Sequence, residues 1–219
     1  QVATEYGFDI AQVLITAEDL ENRRRFLNTR NTITRLLERG ILPIVNENDT
    51  VTTEEIRVGD NDRLAAKVGQ MLMASKLLIL TSIDGLYDRN PEEEGAQFVE
   101  KVHDVAEYLE VTKSTSSLGS GGMMTKMQAA NMAQNAGCAT LIAKGEIDRP
   151  IQAVLSGERR YTECVAETDP ASSWAVWLTD RLNMAGSITV RNNPARDIRS
   201  GEIGVRAQDV ASIQGDFGK

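Results

Sequence analysis

The sequence has two cysteines, one histidine and no long apolar run, and each shortage excludes a class of protein. Cys138 and Cys164 lie far apart in no CxxC or CxxxC spacing, which argues against a disulfide framework and a cysteine zinc site. His103 has no Ser or Cys nucleophile motif beside it, so a structural or surface role is favoured over catalysis. No run could span a bilayer and no signal peptide opens the chain, so we expect a reduced, cytoplasmic protein without membrane association.

The composition is that of a folded globular protein. Its 219 residues are 41% hydrophobic and 26% charged, enough for one full core or one core plus a small module. The net charge of −8 repels nucleic acid in general, although a local basic patch is not excluded. The first residue is Gln1, and QVATEYG is typical of the tail of a helix closed by glycine. We therefore expect the chain to begin inside a domain.

Strands and helices alternate along the first 157 residues. Short apolar runs predict buried strands over 8–15, 41–46, 76–81 and 139–143. Amphipathic or capped segments predict helices over 17–39, 63–75, 98–110, 125–137 and 149–157. This order predicts an α/β fold with a mostly parallel sheet covered on both faces, in which ligands bind beyond the carboxyl ends of the strands.

The pattern changes after Gly157. A polar stretch over 158–172 contains Pro170 and is typical of a linker. Residues 173–219 then show short strands separated by Gly and Asn turns, too few to build a stable core alone. The predicted organisation is therefore a domain over 1–157, a linker over 158–172 and a partial β-rich module over 173–219.

The acidic segment VNENDTVTTEEIRVGDND follows the second strand and concentrates short acids and amides in one place. It lacks the EF-hand ligand rhythm and has no histidine to complete a zinc or iron site. Asp60 or Asp62 could cap the following helix. Carboxylates beside amides also suit a zwitterion, because Asp can hold an ammonium group while amide N–H groups hold a carboxylate. We favour an amino-acid ligand and keep the helix cap as the alternative.

Two further segments could hold a nucleotide. The segment LGSGGMMTKMQAA, residues 118–130, runs from glycines into a helix, which provides free N–H groups for a phosphate, and Lys126 adds a positive charge. Its spacing is neither that of a P-loop nor that of a Rossmann motif, and a flexible connector is the alternative. Thr81 and Ser82 follow a strand directly, where hydroxyls suit a nucleotide or simply end the strand in a turn.

Four segments together resemble the glutamate 5-kinase family: VNENDTVTTEEIRVGDNDRL, LLILTSIDGLYDRNP, SSLGSGGMMTKMQAA and AGCATLIA. The resemblance implies a three-layer α/β/α amino-acid kinase fold lacking its N-terminal part. It also implies transfer of a phosphoryl group from ATP, carried with Mg²⁺, to the side-chain carboxylate of L-glutamate, the first step of proline biosynthesis. L-Proline would be a feedback inhibitor, and we expect a homo-oligomer. Residues 173–219 resemble the start of a PUA domain, with RNA binding left open.

The resemblance also implies a role for individual residues. The catalytic residues would be Lys126 and Asp62. Glutamate would bind against Asp49, Asn61 and Asp60. ATP would bind along two segments, whose residues are Thr81, Ser82, Ser120, Gly121, Gly122, Met123, Met124, Thr125 and Lys126. The resemblance names no protein ligand for Mg²⁺.

Two alternatives come from other functions. A uridylate or aspartate kinase would share the fold and the DGLY turn, but the joint presence of NEND and GDND argues against it. A non-catalytic regulatory or RNA-binding protein would be expected to have lost the site. The presence of Lys126, Asp49, Asn61 and Asp62 argues against that loss.

Overall fold

The computed structural model of the chain describes residues 6–51, 60–109, 121–170, 186–190 and 210–215. The chain divides into two compact units, Gln1–Trp177 and Leu178–Lys219, which are described separately below. Within the described residues, no helix is both long and apolar enough to cross a bilayer.

The first unit begins with a strand and two capped helices. Strand β1 (Ile10–Ile15) is followed by Thr16, whose hydroxyl forms a reciprocal capping box with Asp19 at helix α1 (Ala17–Glu21). The predicted single helix over 17–39 is wrong, because a second helix, α2 (Arg23–Glu38), starts separately. Asn22 causes the break. It has extended backbone angles, and its side chain accepts hydrogen bonds from the first free N–H groups of α2.

Strand β1 pairs in parallel with strand β2 (Leu42–Glu47). One face of this pair packs against α2 and helix α3 (Asp60–Met71) through buried side chains such as Ile15, Ile33 and Met71. The opposite face leaves four apolar side chains about half exposed, namely Ile10, Leu14, Leu42 and Ile44. The strands were therefore predicted at the right places, and within the described residues this face of the pair stays half exposed.

Four further strands form a mixed sheet in the order β3, β7, β8, β6. Their ranges are β3 (Lys76–Thr81), β6 (Lys101–Val102), β7 (Ala139–Lys144) and β8 (Thr162–Cys164). Strand β3 is parallel to β7, and β6 is parallel to β8, whereas β7 and β8 are antiparallel. The sheet also corrects the linker prediction, because β8 lies inside the range 158–172.

The predicted helix over 98–110 is wrong in its first half. Strand β5 (Phe98–Val99) pairs with strand β4 (Leu86–Tyr87), and β6 follows after one residue, so that the helical part of the described range is 105–109. The apolar residues of such a short segment fit both the period of a helix and the period of a strand. Strand pairing with residues distant in sequence decided its secondary structure.

Helices cover both faces of the sheet around β7. Helix α4 (Gly121–Asn135) contributes Met127 to a core that includes Ile142, whereas helix α5 (Pro150–Leu155) contributes Val154 to a separate core with Leu141. Ile142 and Leu141 are adjacent in β7 and point to opposite faces, because side chains alternate along a strand. This confirms the predicted three-layer arrangement.

The second unit contains an antiparallel pair, strands β9 (Gly186–Val190) and β10 (Val210–Gly215), with an irregularity between Val210 and Ser212. Two strands alone do not distinguish between small β-rich folds, so the PUA-like assignment of 173–219 stays a prediction.

Candidate active site

The two residues predicted as catalytic lie in contact. Lys126 Nζ is 3.0 Å from Asp62 Oδ2, and the two side chains are only 18% and 17% exposed. Asp62 comes from the first turn of α3, at the end of the acidic segment, and Lys126 comes from α4, after the glycines. The structure therefore joins two segments that are 64 residues apart in sequence.

Neighbouring side chains fix this contact from both helices. The Thr125 hydroxyl lies 3.3 Å from the same Asp62 oxygen and 2.9 Å from the carbonyl oxygen of Gly122. One residue further along α3, Arg63 Nη2 donates to Gln128 Oε1 at 2.7 Å. Helices α3 and α4 are thus linked by polar contacts at successive positions, which restrict the position of the lysine ammonium.

The described part of the segment predicted to bind phosphate is helical. Helix α4 is described from Gly121, four residues before the predicted start at Thr125. Backbone N–H groups in the first turn of a helix can bind an anion, and phosphate binding by Gly121 and Gly122 stays a prediction. The Met123 side chain is buried in the core, so any phosphate contact of this residue would use its backbone. Ser120 lies outside the described residues.

The residues predicted to bind glutamate lie at the carboxyl end of the β1–β2 pair and at the start of α3. Asn48 and Asp49 follow β2 directly, and Asn48 N–H donates to the Ile15 carbonyl at the end of β1. The Asp49 and Asn61 side chains are exposed, and α3 contacts β2. The side chain of Asp60 lies outside the described part of the chain.

A cavity of about 660 Å³ opens beyond the carboxyl ends of β3 and β7. It is lined by Ser82, Ile83, Asp84, Pro91, Lys144, Ile147, Glu158, Arg159 and Arg160. Three of these residues are cationic and two are acidic, and one cation, Arg160, is paired with the lining residue Asp84. Of the predicted nucleotide residues, Ser82 lines the cavity. Thr81 holds the adjoining backbone, since its carbonyl accepts from Gly145 N–H at 2.8 Å.

Sequence reasoning missed Lys144, Arg159 and Arg160 as residues of this cavity. Lys144 could have been found, because it directly follows a predicted strand at the carboxyl edge of the sheet. Arg159 and Arg160 could not have been found in this way, because the polar stretch around them has no local sequence motif and was predicted to be a linker.

The remaining candidates have structural environments. Cys138 and Cys164 are buried, and burial raises the pKa of the Cys138 thiol to about 11 and, with the charge of Glu163, that of Cys164 to about 12. Both thiols are therefore protonated and unreactive at neutral pH. His103 is exposed on the surface. Among the residues that the structure describes, no group of three or more His, Cys, Asp or Glu could hold a metal ion.

Residues 1–144 match the family model described as the amino acid kinase family. The chain belongs to this family. The fold is shared with solved kinases: a UMP kinase from Ureaplasma parvum matches with a TM-score of 0.50 at 17% identity, over 74% of this chain and 62% of that one. An isopentenyl phosphate kinase matches with a TM-score of 0.51 at 19% identity, over 74% and 61%.

Curated relatives are much more similar in sequence. A glutamate 5-kinase from Sphingopyxis alaskensis is 44% identical over 97% of this chain. One from Caulobacter vibrioides is 42% identical over 98% of this chain. A glutamate 5-kinase from Rhodospirillum rubrum is 39% identical over 99%. The chain spans 57–58% of the lengths of these three relatives.

Proposed function

We propose that the protein containing this chain transfers the γ-phosphoryl group of ATP to the side-chain carboxylate of L-glutamate. The observation that carries the proposal is the 3.0 Å contact between Lys126 and Asp62, where the acidic segment and the glycine-containing segment meet. The similarity to relatives named glutamate 5-kinase supports glutamate as the acceptor.

The reaction needs positioning and charge stabilisation more than acid–base catalysis. A carboxylate oxygen of glutamate attacks the γ-phosphorus in line, the bond to the β,γ-bridging oxygen breaks, and ADP leaves with the electron pair. The attacking carboxylate is already ionised at neutral pH and needs no general base. Lys126 stabilises the negative charge on the transferring group, and Asp62 positions the ammonium group for that contact.

The two substrates would occupy opposite sides of the Lys126–Asp62 pair. Glutamate binds with its ammonium group at Asp49 and its polar groups near Asn61 and Asp60. The nucleoside end of ATP occupies the cavity beside Ser82, and its phosphates extend toward the backbone of Gly121 and Gly122. Mg²⁺ enters with ATP and neutralises phosphate charge. L-Proline inhibition, homo-oligomer formation, a cytoplasmic location and a PUA-like second unit stay predictions from the family resemblance.

The direct test is acyl-phosphate formation by the full-length protein. We expect it to produce the hydroxamate from L-glutamate, ATP, Mg²⁺ and hydroxylamine, because hydroxylamine traps an acyl phosphate. L-Aspartate and UMP serve as alternative acceptors, and ADP release measures the turnover of all three, because phosphorylated UMP forms no hydroxamate. Equal turnover of either acceptor, or none of glutamate, would refute the proposed function.

A second prediction assigns Asp49 to the glutamate side. Asp49→Ala should raise the KM for glutamate roughly 10- to 100-fold, the usual cost of losing a charged hydrogen bond, with the KM for ATP within about twofold. Asp9→Ala is the matched control, because Asp9 is an exposed aspartate before the amino end of β1, remote from this edge. Steady-state kinetics with each substrate varied in turn would measure both constants. A selective rise in the KM for ATP would place Asp49 on the nucleotide side instead.

A further inference from the structure

The turn after β3, residues 82–87, is held by contacts that neither the catalytic pair nor the phosphate site uses. Arg160 Nε donates to Asp84 Oδ2 at 2.6 Å, and its Nη2 pairs with the same oxygen. Arg160 Nη2 also donates to the Tyr87 hydroxyl at 2.9 Å, and that hydroxyl donates to Asp84 Oδ1 at 3.0 Å. Arg160, Asp84 and Tyr87 thus form a closed ring of hydrogen bonds, called here the Arg160 cluster.

The charges and rings around the cluster favour this arrangement. Burial would raise the pKa of Asp84, but hydrogen bonds from Arg160 and Tyr87 and the charge of Arg160 outweigh burial and lower it. Burial and the hydrogen bond to Asp84 raise the pKa of Tyr87, so its hydroxyl stays protonated and donates. The guanidinium carbon of Arg160 also lies 4.6 Å from the centre of the Phe98 ring, within cation–π range.

The rest of the turn is anchored at a second point. Leu86 N–H donates to the buried Thr162 hydroxyl at 2.7 Å, and this hydroxyl donates to the Val99 carbonyl at 2.6 Å. That anchor fixes the end of the turn, which lies away from Ser82. The start of the turn carries Ser82 and Asp84 into the lining of the cavity, and the Arg160 cluster ties that part to the residues just before β8.

We propose that Arg160 is a positioning residue for nucleotide binding: it holds the turn 82–87 against β8 and so shapes the cavity wall that receives the base and ribose of ATP. The proposal rests on the ATP half of the proposed function and is independent of the acceptor. Its physical basis is geometric. Arg160 and Asp84 both line the cavity, they come from segments 76 residues apart, and their contact sets the distance between those two walls.

The Arg160 cluster is partly exposed to solvent, which limits how much replacing Arg160 can weaken ATP binding. Arg160 and Asp84 side chains are 58% and 30% exposed, so solvent screens their charges. Arg160→Met should therefore weaken ATP binding by roughly three- to tenfold rather than abolish it. Tyr87→Phe removes one hydroxyl from the ring of hydrogen bonds and should weaken ATP binding in the same direction by a smaller factor.

The chain supplies a matched control in the neighbouring Arg89–Asp88 pair. Arg89 Nη2 lies 3.1 Å from Asp88 Oδ2, and their side chains are 49% and 36% exposed, close to the exposures of the Arg160 pair. Arg89 does not line the cavity. Arg89→Met removes the same charge from a similar surface pair and should leave ATP binding within about 1.5-fold of the unmodified protein.

The deciding experiment compares ATP with inorganic tripolyphosphate, using titration calorimetry on the full-length protein without acceptor. Arg160→Met should raise the Kd for ATP and leave the Kd for tripolyphosphate unchanged, because only ATP has a base and ribose to fill the cavity. Equal ATP binding by Arg160→Met and unmodified protein, or equal weakening of both ligands, would overturn the positioning role. If the unmodified protein binds no ATP, the proposed function falls as well. ATP binding without glutamate turnover would remove only the assigned acceptor.

Discussion

Replacing Lys126 with methionine is expected to lower kcat by roughly 100- to 1,000-fold, the usual cost of removing one preorganised charge at a reacting centre. The ammonium of Lys126 contacts Asp62 in a site that is largely shielded from solvent. Water therefore cannot compensate for the loss of this positive charge. Its interaction with the phosphoryl group strengthens as charge develops in the transition state. The KM for glutamate should therefore change by less than about threefold. Steady-state hydroxamate formation by the full-length protein measures both.

Lys76→Met is the matched control for this variant. Lys76 is an exposed lysine at the amino end of β3, so its replacement removes the same charge from the opposite edge of the sheet. The control should retain kcat within about twofold of the unmodified protein. An unchanged kcat in Lys126→Met would remove the catalytic role assigned to this lysine. Asp62→Asn should also lower kcat, because Lys126 would lose its charged partner and its fixed orientation.

Gly85→Ala is expected to destabilise the protein by roughly 2–4 kcal/mol through a strained backbone and a steric clash together. Gly85 has a φ of +151°, which L residues rarely adopt, and an added Cβ would lie 2.7 Å from both the Phe98 ring and Thr162 Oγ1. Thr162 cannot yield cheaply, since its buried hydroxyl holds Leu86 N–H and the Val99 carbonyl. Urea denaturation measures the loss in the free energy of unfolding.

Gly95→Ala separates the two causes. Gly95 also has a positive φ, +82°, but an added Cβ would meet no atom within 4 Å. This control should cost only about 1 kcal/mol, the conformational part alone. Equal losses in both variants would mean that the close approach of Gly85 to Phe98 and Thr162 contributes nothing.

Local sequence signals placed most of the elements. Apolar runs located β1, β2, β3 and β7, and the start of α1 is set locally by the Thr16 hydroxyl, which bonds the backbone three residues away. These signals succeeded where the interaction lies within one turn or one strand. They failed at Asn22, where a second cap splits one predicted helix, and over 98–102, where pairing with β4 and β8 decided the structure.

The candidate site divides in the same way. Sequence pattern selected Asp62 and Lys126 separately, as an acid in a polar segment and a lysine beside glycines. Their contact depends on the packing of α3 against α4, which no local pattern contains. Arg160 had no signal at all, because its role depends on a turn 76 residues earlier in the chain.

The sequence by itself determined the residue types at the sheet edge, the order of strands and helices, and the family resemblance. Periodicity, capping and turn chemistry act over a few residues and are therefore readable in one chain. Only the tertiary structure decided which of those residues meet, since the partners of Asp62 and Asp84 come from distant segments. The tertiary structure also decided whether a strand is buried on one face or on both. The sequence of a strand shows which of its residues are apolar but not which elements pack against them.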